Sequence, residues 1–369
     1  MLVRESVPTL DGEIRFDEQA RRQAAGDFGH IVQRMPAAVV VPRSGDDVAA
    51  SIRWAGEQGL TFAARGRGHS VYGRSQAADA IVAEMSELRS VHAVHDDRVV
   101  VDAGATWSEV LAATLPRGLT PPVLPDYLEM SVGGTLAVGG VGGRTSRYGL
   151  VTDHVLELDV VTGTGERISC SPAQHSAVFD ATRGGLGQVA VIIRATLELT
   201  PAPQTVRRLL LTYPDLATMV RDERILSEDG RFDVVQGAIV GKPEGGWAFR
   251  LDAAKEFSAD PPDDDVLLEG LSDDTAQRTV STMAYLDFLQ RLSALERGLR
   301  ATGQWAFPHP WLTTFVGDGA VESVVGDDSR GSTRPTSARS GRSPSRQSAV
   351  RRRPHSCRCR ATACATRST

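Results

Sequence analysis

Residues 61–70 read TFAARGRGHS, and the prediction of the fold starts from this stretch. Its first four residues are apolar or small and predict a short strand, which runs straight into a turn that contains Gly66 and Gly68. Glycines in such a turn let successive backbone N–H groups converge on an anion, and Arg65 and Arg67 add positive potential. The stretch predicts either an anion-binding turn or a tight turn without a ligand.

Two further glycine-rich turns follow, at residues 133–143 and 184–187. Tight packing explains each turn alone, but three of them in the first 190 residues favour a cofactor with a pyrophosphate. Residues 185–190 (GLGQVA) match the Gly-x-Gly-x-x-Ala pattern of dinucleotide folds. They follow a predicted helix and open a predicted strand, which is the reverse of the order that the motif needs, so a Rossmann site is not predicted.

The hydrophobic patterns predict an α+β fold in two domains, for which 369 residues are sufficient. In the first part of the chain, the predicted strands are 34–42, 61–64, 80–85, 98–103, 156–161 and 189–199, and the predicted helices are 44–59, 107–115 and 174–182. A second unit begins near Pro201, with predicted helices at 215–227 and 284–302 and predicted strands at 233–240 and 246–253.

The composition predicts a soluble, cytoplasmic protein. Apolar residues make up 41% of the chain, and no apolar run approaches the ~18 residues of a membrane helix. Residues 1–30 carry acids and arginines where a secretory signal needs an apolar stretch. The net charge of −5 gives no general reason to expect nucleic acid or a membrane as a partner.

Residues 326–369 differ from the rest of the chain. They contain no Leu, Ile, Met, Phe, Tyr or Trp, and their eleven Arg against two Asp give a net charge of +9. So little apolar surface predicts a disordered tail. The tail is a natural disordered segment, a basic arm that binds nucleic acid, or the product of a frameshift. The frameshift fits best. The body uses Arg almost to the exclusion of Lys, which indicates GC-rich coding, and shifted frames of such DNA tend to encode Arg, Ser, Pro, Ala, Thr and Cys, as this tail does. The spacing of Cys357, Cys359 and Cys364 lacks the pairing that structural zinc needs, and no metal site is predicted.

Several motifs follow one another in a characteristic order. They are ARGRGHS at 64–70, DYL at 126–128, VGGTL at 132–136, LELDVVTG at 156–163, GGLGQ at 184–188, YLDFL at 285–289 and PHPWL at 308–312. Together they resemble cytokinin dehydrogenases, which are flavoenzymes of the vanillyl-alcohol-oxidase type. The resemblance spans residues 30–316, which makes it more specific than any single motif.

The resemblance implies a two-subdomain FAD-binding domain of the PCMH type at residues 31–200, after an N-terminal segment at 1–30. A substrate (cap) domain with an antiparallel sheet and helices is implied at 201–325. The implied cofactor is FAD, bound covalently through a ring nitrogen of His69, which raises the redox potential of the flavin; without this context, His69 is a turn histidine. The other positions that fall where the family contacts FAD are Ala64, Gly66, Arg67, Gly68, Ser70, Arg74, Asp126, Ser131, Ala137, Val141 and Ile192.

The implied activity is oxidation of N6-isopentenyladenine-type cytokinins by a monomeric enzyme, with a quinone or oxygen as electron acceptor. Asp126 would be the catalytic acid/base, because a carboxylate that accepts the N–H proton pushes electrons toward the breaking C–H bond. The resemblance further implies that hydride passes to flavin N5 and that the imine hydrolyses to adenine and an aldehyde. Asp252, the second implied catalytic residue, falls where the family tends to have a Glu that holds the adenine, and Trp311 would line the substrate slot.

Other interpretations remain open. Asp126, after Pro125, also fits a turn cap, and Trp311 also fits a core position. A covalent-FAD oxidase of the same fold that acts on another amine, an alcohol or a sugar fits the same motifs. Arg74 and Thr313 depart from the Gln and Asn of the family, and no stretch after Val316 resembles the family's return to the FAD domain. An inactive, truncated product is therefore a further alternative.

Overall fold

The computed structural model describes residues 7–242 and 244–331, with side chains up to Gly326. Within these limits the chain divides into two compact units. The first unit contains residues 7–142, 149–202 and 289–311, and the second contains 143–148, 203–288 and 312–331. The sequence predicted one division near residue 200. It missed the two exchanged segments because local patterns do not show which core a connecting segment joins.

The first unit contains a four-stranded sheet in the order β1-β2-β4-β3. Its strands are β1 (Glu13–Arg15), β2 (Ala38–Val41), β3 (Phe62–Arg65) and β4 (Ile81–Glu84). β4 pairs in parallel with both β2 and β3, whereas β1 is antiparallel to β2. The N-terminal segment, which was predicted separately, contributes β1 and helix α1 (Glu18–Ala24). The turn at 66–70 leaves the carboxyl end of a parallel strand, where open sheets commonly bind ligands.

A second, antiparallel sheet of the first unit has the order β5-β6-β10-β8-β9. Its strands are β5 (Val91–Val94), β6 (Arg98–Asp102), β8 (Val155–Thr162), β9 (Arg167–Cys170) and β10 (Ala190–Glu198). A separate two-stranded pair joins β7 (Leu119–Thr120) to β11 (Thr200–Pro201). The alternating Val residues of β6 place Val99 and Val101 in the core, as the sequence pattern predicted.

Helix α2 (Gly45–Glu57) joins the two sheets of the first unit through a shared core. It begins at Ser44, whose side-chain oxygen accepts a hydrogen bond from the Asp47 N–H at 3.1 Å, as the sequence predicted. Its buried residues pack against both sheets in a cluster that includes Val40, Val48, Ile52, Ile81, Val161 and Ile193. Each such side chain contributes about 1.5–3 kcal/mol when it is fully buried.

The glycine-rich stretch at 133–143 is only partly a turn. Helix α4 (Val132–Val138) includes Gly133 and Gly134, and the turn begins at Gly139. A Cβ on Gly133 would lie 2.7 Å from the Ala103 Cβ, so glycine permits close packing of this helix against the chain after β6. The prediction of a turn from 133 onward was therefore wrong, because these glycines serve helix packing. The other helices of the first unit are α3 (Trp107–Thr114) and α6 (Ser176–Thr182).

The second unit is built on an antiparallel sheet in the order β13-β14-β12-β15. Its strands are β12 (Thr205–Tyr213), β13 (Val234–Gly241), β14 (Trp247–Phe257) and β15 (Thr279–Ala284). Its helices include α5 (Thr145–Tyr148), α7 (Leu216–Asp229) and α8 (Asp264–Leu268). Met219 and Leu226 of α7 share a buried core with Leu209, Leu211 and Leu251. The opposite face of the sheet presents Asp252 and Glu256 at alternate positions of β14.

Two predicted elements differ from the structure. The single helix predicted at 284–302 is instead the end of β15 followed by α9 (Tyr285–Leu289) and α10 (Ser293–Ala301), with a break at Gln290–Leu292. Arg291, within this break, is held by a tertiary ion pair that helical periodicity cannot show. The start of the predicted disordered tail is helical, since α11 spans Val321–Gly331. The rest of the predicted tail, 332–369, lies outside the described residues. Among the helices that are described, none combines the length and the apolar character needed to cross a bilayer.

A buried charge pair lies in the second unit between Arg144 and Glu256, at 3.4 Å. The Glu256 side chain is only 7% exposed, and burial raises its pKa to about 7 against the lowering effect of Arg144. Neighbouring Asp233 adds to the rise in pKa and itself pairs with Arg147 at 2.6 Å. Within the described part of the chain, Arg144 Nε and Nη1 and Glu256 Oε1 have no hydrogen-bond partner. Burial therefore disfavours the charged form of Glu256 at neutral pH, in spite of its ion pair with Arg144.

The Glu256→Gln variant is expected to lose less stability than the wild type between pH 5 and pH 8. The carboxyl titrates near 4.5 when unfolded and near 7 when folded, so the free energy of unfolding falls as pH rises through this window. We expect about 1–3 kcal/mol of this fall to disappear in the variant. Urea unfolding at pH 5, 6.5 and 8 measures the free energy of unfolding of both proteins. The comparison uses its change with pH and not its absolute value, because the variant removes the counter-ion of Arg144 at every pH. Glu228→Gln, an exposed change in the same unit, is the control. An unchanged pH dependence in Glu256→Gln would contradict the assignment.

Candidate active site

The turn at 66–70 is held in place by buried polar contacts. Arg65 Nε pairs with Glu84 at 2.7 Å and its Nη1 donates to the Gly26 carbonyl at 2.6 Å, so this arginine supports the turn. Gly68 has φ +64°, and a Cβ there would meet Arg65 Nη2 at 2.2 Å, which is why glycine is needed. The expected contribution of Arg65 to the potential at an anion is thus largely neutralised by Glu84. Arg67 is exposed.

Asp27 connects the turn to the N-terminal segment. Its buried carboxylate accepts hydrogen bonds from Ser70 Oγ at 3.0 Å and from the Gly73 N–H at 2.8 Å. The neighbouring backbone also pairs with the turn, since the Phe28 N–H donates to the Gly68 carbonyl at 2.9 Å. These contacts fix the backbone on both sides of His69.

The backbone N–H groups of residues 66–70 are available to an anion. Among the described residues, none accepts a hydrogen bond from any of these five N–H groups. Ser131, at the start of α4, lies against the same turn: a Cβ on Gly66 would be 2.0 Å from Ser131 Oγ. Ser131 is 3% exposed. The first turn and the start of α4 therefore lie against each other.

The third glycine-rich turn has a different role from the one expected. The N–H groups of Gly184 and Leu186 donate to the carbonyls of Leu136 and Ala137, both at 2.8 Å. These bonds satisfy the carbonyl end of α4, so the turn caps a helix. The order helix α6, turn, strand β10 confirms that residues 185–190 are not a Rossmann motif.

His69 lies between two aromatic rings. Its imidazole stacks on Phe28 with ring centroids 4.0 Å apart and an interplanar angle of 15°, and on Tyr127 at 4.7 Å and 25°. Trp305 and Trp311 approach it at 6.2 Å. His309 stacks on Phe28 at 4.2 Å, and its Nδ1 lies 3.1 Å from the Phe28 carbonyl. The ring of His69 is thus held in a fixed plane.

Burial in this aromatic cluster lowers the pKa of His69 to about 4, and His309 and Arg300 act in the same direction against Glu296. The imidazole is therefore neutral at physiological pH. A neutral imidazole keeps a nitrogen lone pair, which covalent attachment to a carbon atom requires. The described residues contain no group of His, Cys, Asp and Glu side chains arranged to hold a metal ion.

Asp126 lies in the loop between β7 and α4, next to Tyr127. Its Oδ1 accepts a hydrogen bond from Arg291 Nη2 at 2.7 Å, and the two side chains are 18% and 8% exposed. Tyr127 interacts with Glu296 and Arg300 of α10. Its pKa is raised to about 12, mainly by burial and secondly by Glu296. A cavity of about 30 Å³ against Asp126 and Tyr127 has room for one or two water molecules.

The remaining predicted positions are dispersed. Ala64 and Arg74 are exposed, Ile192 is 7% exposed in β10, and Ala137 and Val141 are half-buried at the end of α4 and beyond it. Trp311 is 51% exposed, so it is not a core residue in the structure. Asp252 belongs to the second unit, where it forms a two-point ion pair with Arg208 at 2.8 and 2.7 Å across the sheet.

Sequence reasoning missed most of the residues that surround His69 and Asp126. Tyr127 and His309 lie inside motifs that were noted, DYL and PHPWL, but neither was given a role. Phe28 and Asp27 lie in a segment that was set apart, and Arg291 was assigned to a helix. The missing signal is tertiary, because the contacts of His309 with Phe28 and of Arg291 with Asp126 span 281 and 165 residues.

Two family models match the chain. A FAD binding domain matches residues 36–171, and the domain described as "Cytokinin dehydrogenase 1, FAD and cytokinin binding" matches residues 248–325. The first match contains the turn at 66–70, His69 and Asp126, and the second contains Asp252, Arg291 and Trp311. The two matches follow the order that the sequence motifs predicted.

The chain is also similar to individual proteins. It is 42% identical to the uncharacterized oxidoreductase ORF5 in the fasciation locus of Rhodococcoides fascians, over 86% of this chain and 72% of that protein. It is 37% identical to cytokinin dehydrogenase 9 of Oryza sativa subsp. japonica, over 84% of this chain and 66% of that protein. The chain thus spans about two thirds of the length of this plant relative.

A solved structure establishes the fold independently of close sequence similarity. The crystal structure of 6-hydroxy-D-nicotine oxidase from Arthrobacter nicotinovorans superposes with a TM-score of 0.67 at 20% identity, and covers 79% of this chain and 66% of that one. At this identity the likeness concerns the fold alone. With the two family models and the relatives, it confirms the predicted PCMH-type FAD-binding fold. The chain belongs to the cytokinin dehydrogenase family of FAD-dependent oxidoreductases.

Proposed function

We propose that this protein oxidises the side-chain amine of N6-isopentenyladenine-type cytokinins, with FAD bound covalently through His69. The observation that carries the proposal is the stacking of Tyr127 on His69 at 4.7 Å. It places the loop of the predicted acid/base, Asp126, directly beside the predicted flavin anchor. The family models and relatives support the same substrate class.

The described residues fit the cofactor. The five N–H groups of residues 66–70 supply donors for a pyrophosphate, and the buried Ser131 hydroxyl lies against the same turn. His69, neutral and held in one plane, supplies the nitrogen for the covalent bond. The proposed FAD contacts in addition include Ala64, Arg74, Ala137, Val141 and Ile192. When bound, FAD supplies the two-electron acceptor that takes a hydride from the carbon beside the amine nitrogen.

Asp126 supplies the proton chemistry in this proposal. Its carboxylate accepts the N–H hydrogen bond of the substrate amine and takes up its proton as the C–H bond loses a hydride. The amine thereby loses one hydride, which carries both electrons, from carbon and one proton from nitrogen, and becomes an imine. Water then adds to the imine carbon, and the C–N bond breaks to give adenine and an aldehyde. The cavity beside Asp126 provides a place for water.

The proposed substrate contacts are Asp252 and Trp311. Trp311 exposes half of its surface, which leaves an apolar face for the isopentenyl group or the purine ring. Asp252 would accept hydrogen bonds from the adenine, and its two-point pair with Arg208 keeps its carboxylate in one orientation. The further proposals are a quinone or oxygen as electron acceptor and a monomeric, cytoplasmic enzyme.

One experiment tests cofactor and substrate together. The full chain is expressed, precipitated with acid and digested, and a flavin-bearing peptide that contains His69 is expected. The native protein is then mixed anaerobically with isopentenyladenine, an unrelated secondary amine and a sugar. Bleaching of the flavin by isopentenyladenine alone supports the proposal. Bleaching by the sugar or by the other amine would favour an oxidase of the same fold, and a folded but colourless protein would exclude the covalent assignment.

A further inference from the structure

We propose that Arg291 is a positioning residue that holds the carboxylate of Asp126 in the orientation needed for proton acceptance. This inference rests on the proposed function, because it concerns the proposed acid/base. Arg291 Nη2 donates to Asp126 Oδ1 at 2.7 Å, and its side chain is 8% exposed. Such a short, desolvated and charge-assisted hydrogen bond restricts both side chains to one geometry.

Asp126 needs such support because of where it lies. The loop between β7, which ends at Thr120, and α4, which begins at Val132, contains no helix or strand of its own. Reacting groups on loops lose precision unless neighbouring side chains hold them, and a misplacement of about 1 Å can cost 10²-fold in rate. Arg291 supplies this hold from a distant part of the sequence.

The segment that carries Arg291 also holds the next residue of the loop. Glu296 and Arg300 of α10 interact with the Tyr127 hydroxyl, and Arg300 pairs with Glu296 at 2.7 Å. Tyr127 in turn stacks on His69. Residues 291–300 therefore hold both Asp126 and Tyr127, and the stacking of Tyr127 on His69 links these two residues to the imidazole ring. Arg291 itself lies in the break between α9 and α10.

A purely stabilising role for this pair is a weaker explanation. Buried ion pairs stabilise proteins little more than apolar residues of the same size, because desolvation offsets the attraction between the charges. Stability alone therefore does not call for an arginine at position 291. The two roles predict different coupling between Arg291 and Asp126 in the rate of flavin reduction.

The test uses the full flavin-loaded chain and the variants R291M, R291K, D126N and the double variant R291M/D126N. Flavin content after acid precipitation and circular dichroism verify that each variant is loaded and folded. The limiting rate of anaerobic flavin reduction by isopentenyladenine and the KM are then measured. R297M, an exposed change on α10, is the control.

We expect R291M to lower the limiting rate about 10²-fold with little change in KM, since the contact acts on the reacting group. R291K keeps the charge but not the guanidinium geometry, so we expect it to recover about tenfold of this loss and to stay about tenfold slower than the wild type. In the D126N background, R291M should cost less than about threefold, because its target is already gone. R297M should match the wild type.

Three results would overturn the role of Arg291. They are a wild-type rate in R291M, equal losses in R291K and R291M, and losses that multiply in the double variant. If R291M does not load flavin, R291K decides: a loaded R291K with wild-type rate and pH profile at every substrate concentration refutes the role. Failure of the wild type itself to be reduced by isopentenyladenine would refute the proposed function, which distinguishes that failure from one confined to Arg291.

Discussion

Replacement of His69 by alanine is expected to leave a protein that loses all its flavin colour on acid precipitation. The proposed covalent bond would survive denaturation, whereas FAD held only by the N–H groups of residues 66–70 would be released when the turn unfolds. The structure favours the bond because burial lowers the pKa of His69 to about 4, which leaves a neutral imidazole with a free lone pair. The absorbance of the washed pellet and the mass of the His69 peptide measure the result.

The control for this experiment is His95→Ala, which removes an exposed histidine of the same unit. It should keep the flavin of the wild type. A variant His69→Ala whose pellet stays yellow would show that another residue carries the flavin. Native flavin content before precipitation must also be compared, because removal of His69 takes away the ring that Phe28 and Tyr127 stack on.

The second large effect is expected for Asp126→Asn. The amide keeps the size of the side chain but cannot take up a proton, so we expect the flavin to be reduced by isopentenyladenine about 10² to 10⁴ times more slowly. This corresponds to about 3–5 kcal/mol in the activation barrier. The rate is measured per bound flavin in a single turnover, so that incomplete loading does not enter the comparison.

Glu129→Gln is the matched control, because Glu129 is an exposed carboxylate of the same loop. It should react at nearly the wild-type rate. Asp126→Asn also weakens the ion pair with the buried Arg291, which destabilises the protein, so both variants are compared well below their unfolding temperatures. Reduction of Asp126→Asn within threefold of the wild type would exclude Asp126 as the acid/base.

Much of the first unit could be predicted from local patterns. Helix α2 with its cap at Ser44, strand β3 with the turn that follows it, and the alternating strand β6 all lie within about two residues of their predicted positions. Each is determined by neighbours in sequence: an N-cap four residues before an apolar stripe, a glycine after an apolar run, or side chains that alternate between two faces. The order of the motifs also predicted the family that the comparisons confirm.

Where a side chain had two structural uses, the local pattern was insufficient. The sequence predicts a turn at both Gly133 and Gly184. In the structure, Gly133 permits close helix packing, whereas Gly184 caps a helix. Likewise, periodicity over residues 284–302 predicts one helix, whereas the contact of Arg291 with Asp126 lies at a break between two. In both cases, the deciding partner comes from a different part of the chain.

Local sequence is sufficient to specify the strand and the turn around His69, because glycine conformation and strand pattern are local properties. Only the tertiary structure decided what surrounds that histidine. Phe28, Tyr127 and Trp305 reach His69 from three separate segments, and their joint burial of the ring keeps it neutral. A pKa depends on all the groups that exclude water from an atom, and this set exists only once the distant segments have packed together.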